Sequence, residues 1–162
     1  MTSPHVVILL ATYQGAAHLR TQLTSIAGQS FGRWSLVVSD DNSTDGTREM
    51  VADFAQDRPP GQIRLIDGPR QGATANFLSL LDQVPPGAWA AFCDQDDLWF
   101  PDKLARAVAA MAHQTGAAHY AARTIITDAD LRPLVPSRQF HRPLGFRNAL
   151  VQACMAGNTS VF

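Results

Sequence analysis

The stretch Ala91-Phe-Cys-Asp94-Gln95-Asp96-Asp97-Leu-Trp-Phe-Pro101 joins an apolar run to three carboxylates within four residues. A run that ends at Cys93 predicts a strand, which would place the three aspartates at the carboxyl edge of a sheet, where open α/β sheets bind ligands. Carboxylates this close repel one another unless a cation or a donor-rich ligand neutralises them. The stretch therefore predicts either a divalent-cation site or an acidic loop whose carboxylates cap the next helix.

The composition bounds the class of protein. The chain has 162 residues, 46% of them hydrophobic, which predicts one domain over residues 1–162. Its 13 basic residues nearly balance its 14 acidic ones, so we expect no nucleic-acid partner. Cys93 and Cys154 lack a metal-type spacing and predict reduced thiols, and no apolar run is long enough to span a membrane. We therefore expect a cytoplasmic protein, with peripheral contact at the inner face of the membrane left open.

Apolar runs alternate with helical patterns over the first two thirds of the chain. Strands are predicted at 5–11, 34–39, 63–66 and 88–93, and the first run lacks polar alternation, as is typical of a strand covered on both faces. Helices are predicted between the strands, the second running from Thr44 to Ala55, and Pro101 is expected to open a helix after the fourth strand. This order predicts the α/β class, with a mostly parallel sheet and helices on both faces.

The last third of the chain is less regular. Residues 119–135 predict a hairpin or an extended return, with Asp128 and Asp130 in its turn. A short apolar helix is expected near Phe146 to Cys154. Residues 158–162 resemble the start of a strand, so we expect the domain to be incomplete at its C-terminus.

Several phosphate-binding and catalytic motifs are absent from the sequence. There is no G-x-x-x-x-G-K-[ST] and no G-x-S-x-G, and the first strand leads into Thr12-Tyr-Gln-Gly15 instead of G-x-G-x-x-G. What remains is a sheet edge with acids after the second and fourth strands. Asp40 and Asp41 could accept hydrogen bonds from a base or ribose. Asp94 with Asp96 could hold a hard cation on a diphosphate.

Two pairs of residues near these acids have structural interpretations. Ser43 or Asp45 is expected to cap the second helix, although a cap needs only one such group and does not account for both Asp40 and Asp41. Trp99 and Phe100 are expected to anchor the core rather than to bind a sugar.

Five motifs occur in a recognisable order: Thr12-Tyr-Gln-Gly15, Gln29-Ser-Phe31, Asp40-Asp-Asn-Ser-Thr-Asp-Gly-Thr47, Gly72-x-x-x-Asn76-Phe77, and Asp94-Gln-Asp-Asp97 followed by Pro101-Asp-Lys-Leu104. Together they resemble the family-2 glycosyltransferases with the GT-A fold, which is Rossmann-like, and most closely their bacterial rhamnosyltransferase-like branch. The resemblance covers essentially the whole chain. It implies inverting transfer of a sugar from a nucleotide-diphosphate donor to a saccharide or lipid-linked acceptor in cell-surface polysaccharide assembly.

The resemblance also implies a nucleotide site. Thr12 and Tyr13 match the loop that lines the nucleobase, where an aromatic ring offers stacking and a hydroxyl offers a hydrogen bond. Asp40 matches the first acid of the family's pair and is expected on the base or ribose, with Asp41 the weaker candidate. Asn76 matches a polar position near the ribose or diphosphate.

At the acid cluster, the resemblance implies a D-x-D pair. Asp96 is the expected direct ligand of Mg²⁺ or Mn²⁺, and Asp94 is expected to act on the ribose or on the cation through water. Such a cation bridges substrate phosphates and neutralises the charge on the departing nucleoside diphosphate. The catalytic base is expected beyond Phe162, because in the family it follows the motif that matches Gly157-Asn158-Thr159. The catalytic residue therefore stays unassigned.

Two other functions remain open. The chain could be a nucleotide-sugar-binding fragment that is inactive alone because it lacks the base. It could also be a sugar-phosphate nucleotidyltransferase. That class needs a glycine-rich first loop with a basic residue, and Thr12-Tyr-Gln-Gly15 contains a single glycine.

Overall fold

The computed structural model describes residues 3–139, 141, 145–151 and 155–162. Its elements are β1 (Val6–Thr12), α1 (Ala16–Ala27), β2 (Trp34–Asp40), α2 (Thr47–Gln56), β3 (Ile63–Asp67), α3 (Ala73–Leu81), β4 (Trp89–Cys93), α4 (Lys103–Met111), β5 (Ile125–Thr127), β6 (Pro133–Pro136), α5 (Phe146–Ala149) and a 3-10 turn at Gly157–Thr159. The four longer strands begin and end within one residue of the positions predicted from the sequence.

Strands β1 to β4 form a parallel sheet in the order β3-β2-β1-β4. A helix joins each strand to the next, so the predicted α/β class with a parallel sheet is confirmed. In the register of the sheet, Leu10 lies opposite both Val38 of β2 and Cys93 of β4, and Thr12 lies opposite Asp40. The carboxyl ends of β1, β2 and β4 are therefore close to level, and the loops that follow them share one edge.

Both faces of β1 are buried. Successive side chains of a strand point to opposite faces, and in β1 those of each face join a different apolar cluster. Val6, Ile8 and Leu10 join an apolar cluster with residues of α1 and α4. Val7 and Leu9 join a second cluster that includes Leu80 of α3. Burial of each such side chain stabilises the fold by about 1.5–3 kcal/mol. The prediction of a strand covered on both faces is confirmed.

Two helices begin later than predicted. α2 begins at Thr47 instead of Thr44, because the residues before it bond to the loop that follows β1, as described below. α4 begins at Lys103 instead of Pro101. The carbonyl of Pro101 accepts a hydrogen bond from the N–H of Ser30 at 2.8 Å and is therefore not available to the helix.

The two aromatic residues before α4 have different environments. Trp99 is buried, as predicted. Phe100 is 61% exposed, so the prediction that it anchors the core is wrong. The backbone explains the difference, since the carbonyl of Phe100 is held by Gln29 Nε2 at 2.8 Å while its ring remains in solvent.

The last third contains the predicted hairpin, formed by antiparallel β5 and β6. Its turn is held by Asp128, whose Oδ1 accepts from the N–H groups of Asp130 and Arg132 at 2.9 Å each. α5 covers the first part of the predicted apolar helix. Leu150 and Val151 form a turn instead of continuing the helix, and residues 152–154, with Cys154, lie outside the described residues. Of the two cysteines, Cys93 is a buried free thiol.

The final residues add an antiparallel neighbour to β4, in agreement with their strand-like sequence. The N–H of Phe92 donates to the carbonyl of Ser160 at 3.1 Å, and that of Phe162 donates to the carbonyl of Ala90 at 2.9 Å. Val161 is buried and bridges Ala91 on one side and Tyr120 on the other. Within the ranges that the structure describes, no helix has the length and apolar character needed to cross a membrane.

Candidate functional site

A cavity of about 680 Å³ opens at the carboxyl edge of the parallel sheet. Six of the seven site residues predicted from the sequence line it, namely Thr12, Tyr13, Asp41, Asn76, Asp94 and Asp96. The seventh, Asp40, is not among the lining residues. The parallel register therefore gathers residues from four separate stretches of sequence at one place.

The loop after β1 is held by side chains from two other loops. Four consecutive N–H groups, at residues 13–16, each donate to a side chain at 2.9 Å. The acceptors are Gln95 Oε1 for Tyr13, Ser43 Oγ for Gln14, Thr47 Oγ1 for Gly15 and Asp45 Oδ2 for Ala16. Backbone N–H groups at this position are the ones that phosphate-binding folds offer to a ligand. In this chain they are already occupied.

These contacts change the interpretation of the second loop. α2 has Gly46 at its N-cap, without a side-chain cap bond, so neither Ser43 nor Asp45 occupies the N-cap position. Asp45 nevertheless accepts from the N–H of Thr47, the first residue of α2, at 3.1 Å, and also from the N–H of Ala16 at the start of α1. The hydroxyl of Ser43 accepts from the N–H of Gln14 and donates to Asp40 Oδ2.

Asp40 lies buried at the end of β2 behind the cavity wall. Its Oδ2 accepts from the hydroxyls of Thr12 at 2.9 Å and Ser43 at 2.6 Å. Its Oδ1 accepts from the N–H of Ser43 at 2.9 Å and from Arg48 Nη1 at 3.3 Å. Burial alone would raise the pKa of Asp40, but the hydrogen bonds from Ser43, Thr12 and Arg48 outweigh it and hold the pKa below its ordinary value. The carboxylate joins the loops after β1 and β2.

Asp41 faces the cavity and holds the loop after β3. Its Oδ1 accepts from the N–H of Arg70 at 2.6 Å, and its Oδ2 accepts from the N–H of Gly72 at 3.0 Å. The loops after β2 and β3 approach so closely that a Cβ at Gly68 would lie 2.6 Å from Asp41 Oδ1 and 3.0 Å from the carbonyl oxygen of Asp40. The close approach requires glycine at position 68, and it brings Arg70 to the cavity wall.

Asn76 is buried in α3 and contributes to the same wall. Its Nδ2 donates to the carbonyl of Ser39 at 2.9 Å. Its Oδ1 has no hydrogen-bond partner among the described residues. Buried acceptors in folded proteins are normally satisfied by protein, water or ligand.

The acid cluster after β4 divides into two parts. Asp94 and Asp96 line the cavity. Burial, reinforced by the charges of Asp97 and Asp96, raises the pKa of Asp94 to about 6. Asp97 contacts the C-terminal segment instead, where its Oδ2 accepts from Asn158 Nδ2 at 2.6 Å. The described residues contain no group of three His, Cys, Asp or Glu side chains arranged to hold a metal ion. A cation here would therefore take two carboxylates and complete its shell with water and substrate oxygens.

The charges of the cavity wall do not balance. Three carboxylates, those of Asp41, Asp94 and Asp96, face a single guanidinium, that of Arg70, among the lining residues that the structure describes. A diphosphate would add further negative charge to this wall. A divalent cation would offset the repulsion.

Sequence reasoning missed Gln95, Arg70 and Thr47. Gln95 occupies the variable position of the D-x-D pair, where residue type carries no general signal. Arg70 is a lone base in a loop between a strand and a helix, and its proximity to the acids is visible only after the sheet is assembled. Thr47 is part of a quoted motif, but its bond to Gly15 joins residues 32 positions apart.

Residues 7–159 match the family model for Glycosyl transferase family 2. The chain belongs to this family. Two curated proteins show how this family-2 chain compares with longer sequences. It is 28% identical over 106 residues to UDP-Glc:alpha-D-GlcNAc-diphosphoundecaprenol beta-1,3-glucosyltransferase WfgD of Escherichia coli, a match that covers 65% of this chain and 40% of that protein. It is 35% identical over 103 residues to dTDP-rhamnosyl transferase RfbG of Shigella flexneri, covering 61% and 35%. The chain thus spans two fifths or less of the length of these relatives.

Solved structures agree with the fold of this family-2 chain. Mannosyltransferase PcManGT from Pyrobaculum calidifontis, solved in complex with GDP-Man and Mn²⁺, is 29% identical with a TM-score of 0.64, over 71% of this chain and 34% of that chain. Residues 1–349 of TarS from S. aureus give a TM-score of 0.66 at 21% identity, over 85% of this chain and 40% of that chain. The GT-A fold expected from the sequence motifs is confirmed.

Proposed function

We propose that this chain is the donor-binding part of a metal-dependent, inverting glycosyltransferase that acts in cell-surface polysaccharide assembly, with a nucleotide-diphosphate sugar as donor. One observation carries the proposal: a single cavity at the carboxyl edge of the sheet combines the exposed ring of Tyr13 with the carboxylates of Asp94 and Asp96. Two curated relatives have names that specify UDP-Glc and dTDP-rhamnosyl transfer, which supports a donor of this class.

The nucleoside is assigned to the wall formed by Tyr13, Asp41 and Asn76. Tyr13 is 60% exposed, so its ring is available for stacking on a base. We assign the direct hydrogen bond from base or ribose to Asp41, because Asp41 lines the cavity and each of its oxygens accepts one bond, from Arg70 or Gly72. Each oxygen of Asp40 already accepts two bonds, and Asp40 is not among the lining residues. The unpaired Oδ1 of Asn76 offers a further acceptor beside it, either directly or through a water.

The diphosphate is assigned to the wall formed by Asp94, Asp96 and Arg70. Carboxylate oxygens suit Mg²⁺ or Mn²⁺, so Asp96 and Asp94 fit a hard divalent cation. Because the N–H groups at residues 13–16 bond to side chains, the loop after β1 has none of these donors left for phosphate oxygens. When bound, the cation would supply charge neutralisation for the leaving nucleoside diphosphate.

Sugar transfer with inversion also needs a base that takes the proton of an acceptor hydroxyl. Asp128 does not provide it within the described residues, because its Oδ1 closes the hairpin turn between β5 and β6. We assign no base among the described residues, and the acceptor stays a saccharide or a lipid-linked saccharide. A second candidate function is therefore nucleotide-sugar binding without transfer.

Isothermal titration with UDP, dTDP and GDP, each with and without Mn²⁺, tests the proposal. We expect Mn²⁺-dependent binding that Asp96→Asn weakens by about tenfold or more, since even outer-shell partners of a metal are worth about 10–100-fold. Asp57→Asn, which alters an exposed acid at the end of α2, is the matched control. Binding that is the same without Mn²⁺ or in Asp96→Asn would refute the cation assignment. If none of the three nucleotides binds, the donor site itself is wrong. An assay of transfer to a saccharide acceptor then separates binding from catalysis.

A further inference from the structure

The side chain of Gln95 connects two loops of the cavity. Its Oε1 accepts from the N–H of Tyr13 at 2.9 Å, and its Nε2 donates to the carbonyl of Tyr13 at 3.1 Å. Backbone pairing between β1 and β4 ends earlier, at Leu10 and Cys93. Beyond the last paired residues of β1 and β4, the side-chain amide of Gln95 bonds to the backbone of Tyr13 in the way that a neighbouring strand would.

The space beside this contact is shaped to hold Gln95. A Cβ added at Gly15 would collide with Gln95 Oε1 and would lie 2.9 Å from its Cδ. Gly15 has a φ of −97°, which any residue adopts, so backbone conformation does not require glycine here. The missing side chain at position 15 instead makes room for the amide.

Gln95 also stands between the two carboxylates that were assigned to the cation. Asp94, Gln95, Asp96 and Tyr13 line the same cavity. The ring of Tyr13 projects into solvent, while its backbone is bound to the side chain of Gln95 through both its N–H and its carbonyl. A change in the position of the acid loop would therefore move the backbone of Tyr13 with it.

We propose that Gln95 is a positioning residue that couples cation binding at Asp94 and Asp96 to placement of Tyr13 against the nucleobase. The inference rests on the proposed function. A primary amide suits this task because it presents one acceptor and a donor, which match the N–H and carbonyl of a single residue. Ordering one loop with the first ligand reduces the entropic cost of ordering the other, so cation and nucleobase bind cooperatively.

The first test compares UDP with pyrophosphate, two ligands that share a diphosphate and of which UDP alone carries a nucleoside. In Gln95→Met, which keeps the length of the side chain and removes both hydrogen bonds, affinity for UDP with Mn²⁺ falls about tenfold. UDP is replaced by dTDP or GDP if the wild type binds one of those more tightly. Affinity for pyrophosphate with Mn²⁺ stays within about twofold of the wild type. Gly15→Ala, which displaces Gln95 from the other side, reproduces the pattern, and the double variant shows no additional loss.

Matched controls separate this effect from general damage. Gln114→Met makes the same change at an exposed glutamine after α4, and Gly32→Ala adds a Cβ where nothing lies within 4 Å. Both leave the two affinities unchanged. A merely structural role of Gln95 predicts equal losses for UDP and pyrophosphate together with a lower melting temperature. Equal losses for the two ligands, or no loss for UDP, overturn the inference.

A second test does not depend on nucleotide binding. The chain has two tyrosines, so 3-fluorotyrosine labelling gives two ¹⁹F resonances, which Tyr120→Phe assigns. Addition of Mg²⁺ and pyrophosphate shifts the Tyr13 resonance in the wild type but not in Gln95→Met. A shift that persists in the variant, or no shift in the wild type, overturns the coupling. A wild type that binds no nucleotide yet shows the Gln95-dependent shift refutes the proposed donor and leaves the coupling supported.

Discussion

Two adjacent aspartates at the end of β2 show how closely spaced residues acquire different tasks. Asp40 is enclosed by donors and joins the loops after β1 and β2. Asp41 lines the cavity and holds the loop that carries Arg70. The sequence does not distinguish the two aspartates, because the direction of each side chain depends on its position relative to the end of β2 at Asp40. Equal substitutions at the two positions should therefore affect different properties.

Asp40→Asn should lower the free energy of unfolding by about 2 kcal/mol, because the new amide nitrogen would face hydroxyl and N–H donors in a buried position. Urea denaturation measures the change. Asp57→Asn, at an exposed acid, should stay within about 0.5 kcal/mol of the wild type. Unchanged stability in Asp40→Asn would contradict the assignment of this carboxylate to loop packing.

Cation-dependent nucleotide binding should weaken as the pH falls. Burial, together with the charges of Asp97 and Asp96, raises the pKa of Asp94 to about 6, and a protonated carboxyl is a poor cation ligand. Titration calorimetry across pH values on both sides of about 6 measures the loss, and Asp94→Asn should bind weakly at every pH. A steep loss through about 6 that persists in Asp94→Asn would assign the titration to another group.

Without a cation, the folding stability contributed by Asp94 depends on pH in the opposite direction from cation binding: it increases as the pH falls. Its pKa is higher in the folded chain than the ordinary value of 3.8, so the folded state binds the proton more tightly. The contribution of Asp94 to stability is therefore fully present below 3.8 and is lost as the pH rises through about 6. In thermal unfolding, the melting temperature of Asp94→Asn should therefore lack the part of the pH dependence that Asp94 causes in the wild type.

At the scale of elements, the start of α1 is built by residues from elsewhere in the sequence. α1 has Gly15 at its N-cap and no side-chain cap bond. The N–H groups at residues 13–16 donate instead to side chains in the loops after β2 and β4 and to the first residue of α2. The positions of β1, α1 and β2 therefore depend on contacts between loops as well as on the core. This dependence also explains why α2 begins three residues later than its sequence indicates.

Thr47→Val tests one of these contacts. The substitution keeps the shape of the buried side chain, leaves the N–H of Gly15 without its acceptor and removes the bond that the hydroxyl donates to Asp45 Oδ1 at 2.6 Å. The free energy of unfolding should therefore fall by about 1–2 kcal/mol. The matched control is Thr44→Val, since Thr44 is exposed and its hydroxyl accepts from the exposed side chain of Gln14 at 3.2 Å. Equal losses in the two variants would show that the buried hydroxyl of Thr47 contributes no more to stability than an exposed one.

Sequence patterns predicted the parts of the fold that depend on local physics. The apolar runs located all four long strands, and the acids that follow the second and fourth strands located Asp41, Asp94 and Asp96 in the cavity wall. Thr12, Tyr13 and Asn76 were predicted only through the family resemblance. Helix starts were less predictable, because Ser43, Asp45 and Pro101 bond to distant backbone groups instead of continuing a helix. The roles of Gln95 and Arg70 could not be predicted for the same reason, since their partners lie in other loops.

At the scale of the whole molecule, the C-terminal segment is tied to the acid loop and to α4. Lys103 Nζ donates to the carbonyls of Asn158 at 3.5 Å and Thr159 at 3.3 Å, and it lies 4.2 Å from the centre of the Trp99 ring. Burial lowers the pKa of Lys103 to about 8. With the bond from Asn158 to Asp97, these contacts hold residues 157–162 beside β4.

Lys103→Met should loosen this segment while the sheet stays folded. The amides of Val161 and Phe162, which donate to Tyr120 and Ala90, should exchange with deuterium about fivefold to tenfold faster, as expected for the loss of about 1 kcal/mol of local stability. Hydrogen exchange measured by NMR reports the rates. Arg106→Met, on the exposed side of the same helix, is the control. Uniform acceleration across β1 would indicate global destabilisation instead of a local role.

The occupied N–H groups after β1 have an evolutionary consequence. A fold of this kind could in principle be converted to phosphate binding by its first loop, as in proteins that hold phosphates at a helix N-terminus. Here each amide from residue 13 to residue 16 would first have to lose its partner, and the partners are spread over Ser43, Asp45, Thr47 and Gln95. Single substitutions would weaken the fold before they created a new ligand site. The first loop is therefore expected to tolerate little change, at its own positions and at the four residues that supply its acceptors.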